Sequence, residues 1–361
     1  MATDRTSIHA ALDDLIDQGV DPTEVTGAIA RSLSYQRERD VEPLLQDSRR
    51  YVLLPIQYPD IWEIYKRAVS AFWTVDEIDL KSDVDDWEHR LTENERTFIK
   101  NILAFFAASD FIVNENLMDR FMNEVKVPEA QCFYAFQAAV ESIHSESYSL
   151  LLDTFIRDPV EKRHALNAVE TIPCIKKKAG WAQKWIADRD STFAKRLVCF
   201  AIVEGVMFSG SFCALYWLRK RNLMKGLTFS NSLIARDEGL HTEHACILYS
   251  HVVNKLTDEE IHRIMEEAVA IETEFICSSI PCAMLGMNSK QMSEFIRFVA
   301  DRLLLQLGHP KLYGARNPFD FMELASLYSR SNFFESRASE YSRANIGLEA
   351  SDMEFGTDAE F

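Results

Sequence analysis

Two Glu-x-x-His pairs lie inside long apolar stretches of this chain, Glu141 with His144 and Glu238 with His241. Residues three apart on an α-helix lie within one turn, so each pair presents a carboxylate and an imidazole on one face. The apolar run SLLLDTF after the first pair indicates that this face points into a packed interior. Buried groups of this kind need partners, which a metal ion or neighbouring hydrogen-bonding side chains would provide. A single pair is therefore a weak signal for a metal site.

Two other Glu-x-x-His pairs occur in polar surroundings. Glu161 with His164 lies in the charged sequence EKRH, and Glu259 with His262 lies in TDEEIH behind Thr257. We expect both to be solvated helix starts, the second behind an N-terminal capping residue. Only the pairs embedded in apolar helices remain candidates for a metal site.

Two single carboxylates interrupt other apolar stretches. Asp110 lies in the apolar stripe of a long helix predicted to begin at the capping box formed by Thr92 and Glu95. Glu204 lies near the middle of the apolar run at residues 196–218. That run is long enough to cross a bilayer, but an ionisable residue at bilayer depth costs on the order of 3 kcal/mol. We therefore predict a buried central helix of a bundle and no membrane segment.

Four long helices thus carry, in turn, a carboxylate, a Glu-x-x-His pair, a carboxylate and a second pair. Helical bundles that bind two iron or two manganese ions place carboxylates and imidazoles in this way. Four carboxylates balance two divalent cations, and this ligand set suits iron or manganese better than thiolates would. The six candidate metal ligands are Asp110, Glu141, His144, Glu204, Glu238 and His241.

Composition narrows the class of protein further. The 361 residues are 47% hydrophobic, which is enough for a large core, and no useful strand alternation occurs, so we predict an all-α fold. The formal charge of -17 argues against binding to nucleic acid or to anionic membranes. The seven cysteines include no Cys-x-x-Cys pair, which predicts reduced thiols. The N-terminus has no apolar signal segment, so we expect a cytoplasmic location.

Several long strings carry a resemblance to a known family, the radical-generating small subunit of class I ribonucleotide reductase of the eukaryotic type. They include AFWTVDEIDL, AASDFIVNENL, QCFYAFQAAVESIHSESYSLLLDTF, FAIVEGVMFSGSF, ARDEGLH and NPFDFM. The resemblance covers roughly residues 50 to 345 and the extreme C-terminus. It implies a ferritin-like helical bundle with additional helices, which forms a homodimer around a buried di-metal carboxylate site.

The resemblance also implies an activity. A centre of two iron ions, with manganese as an alternative, would use O2 to generate a stable radical at Tyr148. A large catalytic subunit would use this radical to reduce ribonucleoside diphosphates to deoxyribonucleotides. The six candidate ligands match those of the family. Asp237 matches the residue that links His144 to Trp73, and Tyr341 matches the tyrosine that continues this route.

Helical spacing independently predicts apolar walls for the site. Phe208 and Phe212 follow Glu204 by four and eight residues, and Ile234 precedes Glu238 by four. We expect these three side chains to lie on metal-facing surfaces, where they exclude water from Tyr148 while also serving as ordinary core residues.

The chain divides into three predicted parts. Residues 1–50 form a flexible N-terminal arm, residues 51–335 form the helical domain, and residues 336–361 form an acidic C-terminal tail. By resemblance, the tail docks onto the large subunit. A ferritin-like di-metal oxidase or oxygenase, and a helical scaffold that binds a partner through the tail, remain alternatives.

Overall fold

The structure is a computed structural model that describes residues 50–322, apart from residues 189 and 280. Before residue 50 it describes residues 40–47 and the isolated positions 21, 23, 27, 37 and 38. The side chains of residues 111 and 186 are not described. Tyr341, the tail at residues 336–361 and most of the arm at residues 1–50 lie outside the described part.

Helices connected by turns make up the described part of the chain, and no strand occurs in it. The all-α prediction is therefore confirmed there. The α-helices of four or more residues are α1 (Pro59–Ser70), α2 (Lys81–Asp85), α3 (Glu93–Asn116), α4 (Pro128–Phe155), α5 (Pro159–Leu166), α6 (Ala168–Thr171), α7 (Pro173–Ala187), α8 (Phe193–Ile202), α9 (Ser209–Lys220), α10 (Lys225–His251), α11 (Asp258–Glu274) and α12 (Ser289–Gln306).

Helices α3, α4, α8, α9 and α10 form the centre of the fold. Helix α3 packs along α4, while α8 and α9 pack against α10, and α4 contacts α10 across the centre. Helix α1 covers α4 and α10 from outside. One large hydrophobic core runs through these helices. The arrangement places the polar positions of α3, α4 and α10 inside a shell of apolar side chains.

Local capping signals fix where two helices begin. Thr92 Oγ1 accepts a hydrogen bond from the Glu95 amide at 3.3 Å, and the Glu95 carboxylate accepts one from the Thr92 amide at 2.7 Å. Thr257 and Glu260 form the same capping box at the start of α11. Both boxes satisfy amides that the first helical turn leaves without partners. The capping prediction at Thr92 is confirmed.

The apolar run at residues 196–218 is buried but is not one continuous α-helix. It divides into α8, a π-helical turn at Val203–Met207 and α9. Gly205 lies within this turn, and a Cβ atom there would lie 2.9 Å from Thr242 Cγ2 of α10. The missing side chain thus allows the turn to approach α10 closely, and Glu204 lies on this turn.

Among the described residues, two helical segments are long and apolar enough to cross a membrane, Glu93–Glu124 and Phe193–Lys220. In the second segment 94% of the apolar window is buried inside the protein, and in the first 65% is buried. Burial of this extent is the property of a core helix. The predicted burial of residues 196–218 is therefore confirmed, whereas the prediction of a single helix is corrected to two α-helices joined by a π-helical turn.

Candidate metal centre

The structure brings all six candidate ligands together from four parts of the chain. Helix α3 provides one carboxylate, α4 and α10 each provide a Glu-x-x-His pair, and the π-helical turn provides the remaining carboxylate. Each of the six is at most 3% exposed. These residues are Asp110, Glu141, His144, Glu204, Glu238 and His241.

The six residues form two overlapping clusters of potential metal ligands. Within each cluster, one ligand atom from every residue lies within 4.8 Å of the others. The first cluster contains Glu141, Glu204, Glu238 and His241, and the second contains Asp110, Glu141 and His144. Glu141 belongs to both. Two neighbouring cation positions that share a glutamate are therefore compatible with the arrangement, and the cluster can bind metal.

Glu141 and Glu238 each approach both imidazoles. The Glu141 Oε1 atom lies 3.0 Å from His241 Nδ1, and its Oε2 atom lies 3.3 Å from His144 Nδ1. The Glu238 Oε1 atom lies 3.2 Å from His144 Nδ1, and its Oε2 atom lies 3.3 Å from His241 Nδ1. Both Nδ1 atoms thus point toward the carboxylates at the centre of the cluster.

Several of these buried atoms lack a hydrogen-bond partner of suitable geometry. They are Asp110 Oδ2, Glu141 Oε1, His144 Nδ1 and Glu204 Oε2. Two of them make the short contacts just described, so their distances fit hydrogen bonds but their directions do not. Buried polar atoms in native proteins are rarely left unsatisfied. Potential metal-ligating atoms that lie close together in this way fit bound cations, because one cation satisfies several of them at once.

The pKa values of two carboxylates and one imidazole of the cluster agree with this interpretation. Burial, together with the neighbouring Glu141, raises the pKa of Asp110 well above its ordinary value. Burial and Glu238 do the same to the pKa of Glu204. Although burial opposes it, the charge of Glu141 raises the pKa of His241 to about 9. Crowded carboxylates hold protons when no cation balances them, and metal binding displaces such protons.

Gln137 forms a hydrogen bond with one carboxylate of the cluster. Its Nε2 atom donates a hydrogen bond to Glu204 Oε1 at 3.2 Å, and the residue is fully buried on α4, one turn before Glu141. Sequence reasoning missed this residue. Its position four residues before Glu141 places it on the same helical face, but a glutamine at such a position is usually solvated, so the spacing alone does not single it out.

A hydrogen-bonded chain leads away from His144. Its Nε2 atom lies 3.2 Å from Asp237 Oδ2, which accepts a hydrogen bond from Trp73 Nε1 at 2.6 Å. Arg236 Nη2 donates to the other Asp237 oxygen at 3.0 Å and also to the Ala71 carbonyl. Although burial opposes it, His144 and Arg236 lower the pKa of Asp237, which keeps this carboxylate charged. Arg236 was not identified from the sequence.

Tyr148 lies on α4 one turn beyond His144 and is only 2% exposed. The Phe106 ring stacks on it with centroids 4.7 Å apart. Phe208 and Phe212 in turn contact Phe106, with centroids 5.9 and 5.2 Å apart. Burial, reinforced by the charge of Asp110, raises the pKa of the Tyr148 phenol well above its ordinary value.

Phe106 is an aromatic neighbour of Tyr148 that the predicted apolar wall does not include. Phe208, Phe212 and Ile234 are all buried in the core cluster that contains Tyr148. The six candidate ligands and the predicted wall leave out Phe106, which stacks directly on the phenol. Its position four residues before Asp110 places it on the same face of α3.

The remaining Glu-x-x-His pairs lie outside the cluster. Glu161 and His164 are exposed, and Glu259 is exposed at the start of α11. His262 is half-buried and contacts the Pro310 carbonyl through Nε2 at 2.9 Å. Their positions agree with the expectation of helix starts near solvent.

Comparison with known proteins yields one family. The family described as "Ribonucleotide reductase, small chain" matches residues 50–318. The ribonucleoside-diphosphate reductase small subunit of Dictyostelium discoideum is 54% identical over 320 residues, which are 88% of this chain and 94% of that protein. The small chain of Nicotiana tabacum is 59% identical over 306 residues, covering 84% and 92% of the two chains.

A solved structure agrees with these relatives. A ribonucleotide reductase homodimer from Saccharomyces cerevisiae has a TM-score of 0.74 and 36% sequence identity, covering 90% of this chain and all of that one. The ferritin-like fold expected from the sequence is therefore confirmed. From the family match and from relatives that are more than half identical along most of their length, the chain belongs to the ribonucleotide reductase small-chain family.

Proposed function

We propose that this small subunit uses a di-iron centre and O2 to oxidise Tyr148 to a stable radical, which a large catalytic subunit consumes in reducing ribonucleotides. One observation carries the proposal. The two ligand clusters share Glu141, and the helix that provides Glu141 also carries the buried Tyr148.

Asp110, Glu141 and His144 would hold one metal ion, and Glu204, Glu238 and His241 would hold the other, with Glu141 shared. Carboxylates and imidazoles suit iron and manganese alike, and the resemblance to the eukaryotic type favours iron. When bound and reduced, a pair of such ions would supply electrons to O2 and the oxidising power needed at Tyr148.

The chain itself controls the protonation of Tyr148. Because burial and the neighbouring carboxylates raise the pKa of its phenol, the side chain stays neutral at physiological pH. Its oxidation must therefore remove a proton from Oη as well as an electron. Among the neighbouring charges, that of Asp110 contributes most to raising this pKa.

Exclusion of water would preserve the radical. Phe106 covers one face of the phenol, and Phe208 and Phe212 extend this aromatic layer away from it. Ile234 of α10 is 1% exposed in the same core. Reductants in solution would have to displace well-packed apolar side chains to reach the ring.

Trp73, Asp237 and His144 would carry the oxidising equivalent toward the large subunit. Their continuous hydrogen bonds support this role, because a hydrogen-bonded chain moves a proton together with an electron. Arg236 fixes Asp237 in its charged form. Tyr341, outside the described residues, would continue the route.

The proposal includes partners and location. The chain would form a homodimer, as the yeast relative does. It would bind the large subunit through the acidic tail at residues 336–361. A cytoplasmic location is consistent with the cysteines, all seven of which lie in the described part and are free thiols.

Replacement of Tyr148 by phenylalanine tests the central claim. The Tyr148→Phe protein should bind the same amount of iron as the wild type, show no tyrosyl signal in electron paramagnetic resonance, and have no reductase activity with the large subunit. Tyr134→Phe is a matched control, because Tyr134 is also fully buried on α4 but stacks on Phe121. The control should keep both signal and activity.

Retention of activity in Tyr148→Phe would show that the radical forms elsewhere. Loss of iron from the same variant would instead assign Tyr148 a structural role at the metal centre.

A further inference from the structure

Two cysteines lie together where α11 ends and α12 begins. Cys277 belongs to the π-helical turn Phe275–Ser279, and Cys282 begins the 3-10 turn Cys282–Leu285. The Cys277 Sγ atom lies 3.5 Å from the Ser289 carbonyl oxygen, and the Cys282 Sγ atom lies 3.6 Å from Ser289 Oγ. The two sulfur atoms therefore share one residue, the first of α12, as a neighbour.

The two thiols also interact with each other, and they differ in exposure. A hydrogen bond from the Cys277 thiol lowers the pKa of Cys282 to about 7, with help from Ser289 and from the Ala283 amide. The same hydrogen bond raises the pKa of Cys277. Cys277 is partly exposed, while Cys282 is fully buried. One member thus forms a thiolate readily, and the other reaches solvent.

The other five cysteines have no such arrangement. Burial raises the pKa of Cys199, Cys213 and Cys246. Cys132 and Cys174 are partly exposed, and burial raises their pKa values too. Low thiolate content makes all five slow to oxidise.

We propose that Cys277 and Cys282 form a reversible intramolecular disulfide, which makes the junction of α11 and α12 a redox modification site. Hydrogen peroxide is the oxidant. Both S–H bonds and the O–O bond break, one S–S bond forms, and two water molecules leave. The two thiols lose the two electrons that the peroxide gains. A soluble dithiol restores the reduced pair by thiol–disulfide exchange through the partly exposed Cys277.

The site is separate from the metal centre but connected to its surroundings by packing. Phe275, two residues before Cys277, contacts Phe105 with ring centroids 4.9 Å apart. Phe105 in turn contacts Phe208 at 5.6 Å. Formation of the disulfide requires no metal and no large subunit, so its test is independent of the proposed radical chemistry.

The test is mass spectrometry of the full-length protein after limited peroxide treatment. Residues 264–290 form a single tryptic peptide that contains both thiols, because no Lys or Arg lies between Arg263 and Lys290. After alkylation of the remaining free thiols, this peptide should carry no alkyl groups and should have lost the mass of two hydrogen atoms. Treatment with dithiothreitol should restore both alkylation sites.

Variants separate this pair from general oxidation. Cys277→Ser and Cys282→Ser should each abolish the disulfide, while Cys132→Ser, which removes another partly exposed thiol, should leave it intact. The inference is overturned if Cys132 and Cys174 oxidise while both members of the pair remain alkylatable. A disulfide between Cys282 and the neighbouring Cys213 would overturn it equally.

Discussion

The amide of Gln137 shows how one residue that is not a ligand can tune the metal centre. Its Nε2 atom fixes Glu204 Oε1 at 3.2 Å. We predict that Gln137→Leu, which keeps the approximate shape and removes the donor, weakens metal binding by about 10- to 100-fold, the usual effect of losing an outer hydrogen bond to a ligand. Competition with a chromophoric chelator measures this affinity.

A second glutamine provides the control for this prediction. Gln131 lies on the same helix, is half-buried, and donates to the Val125 carbonyl at 3.1 Å, away from the cluster. Gln131→Leu should leave metal affinity unchanged. Equal affinities for both variants and the wild type would show that Glu204 is held adequately by its other neighbours.

The sequence indicates the six candidate metal ligands but not Gln137 or Arg236, and this difference has a physical reason. The six carboxylates and imidazoles are conspicuous, because ionisable residues interrupt apolar helices only where something compensates for their burial. Gln137 and Arg236 are not conspicuous. A glutamine or an arginine at a helix position is usually solvated, and only the tertiary structure shows that these two face Glu204 and Asp237.

At the scale of secondary-structure elements, the π-helical turn at Val203–Met207 depends on the absence of a side chain at Gly205. A Cβ atom there would lie 2.9 Å from Thr242 Cγ2 and 3.3 Å from Thr242 Oγ1. We predict that Gly205→Ala destabilises the protein by about 1–3 kcal/mol, the usual cost of overpacking. Chemical denaturation monitored by circular dichroism measures the loss.

Two further variants identify the cause. Thr242→Ser removes the closest atom, Cγ2, so it should restore part of the stability lost in Gly205→Ala. Gly239→Ala on α10 is the matched control, because nothing lies within 4 Å of its added Cβ atom. It should stabilise the protein by roughly 0.5–1 kcal/mol, since alanine favours a helix interior more than glycine does. Destabilisation by Gly239→Ala equal to that of Gly205→Ala would contradict the steric argument.

Element boundaries were predictable from the sequence where the signal was local. The capping box at Thr92 and Glu95 needs only residues three apart, and it forms as expected. The apolar run at residues 196–218 carries a correct signal for burial, but its division by a π-helical turn depends on how closely α10 approaches Gly205. That distance is a property of packing between helices distant in sequence.

At the scale of the whole molecule, bound metal should hold the central helices together. The carboxylates come from α3, α4, α10 and the turn before α9, and in the absence of cations their crowding and burial raise the pKa values of Asp110 and Glu204. We predict that chelation lowers the unfolding temperature. A ligand present at 100 times its Kd adds about 2.7 kcal/mol to stability. Scanning calorimetry of metal-loaded and chelated protein measures the shift.

Glu141→Gln provides the control for the calorimetry. Because Glu141 belongs to both ligand clusters, its loss should remove most of the metal-dependent shift. The chelated forms of the variant and the wild type should unfold at similar temperatures. A shift of unchanged size in the variant would place the stabilising metal elsewhere in the protein.

The acidic C-terminus gives a prediction about the assembled enzyme. No basic residue follows Arg343, and Phe355 and Phe361 are spaced along an otherwise acidic segment, which fits a peptide that binds a partner through aromatic anchors. We predict that deletion of residues 344–361, which keeps Tyr341, leaves the iron content and the tyrosyl signal intact but abolishes reductase activity with the large subunit. A synthetic peptide of residues 344–361 should inhibit the intact enzyme, whereas a scrambled peptide of equal charge should not. Full activity of the shortened protein would show that the large subunit is bound through the helical domain.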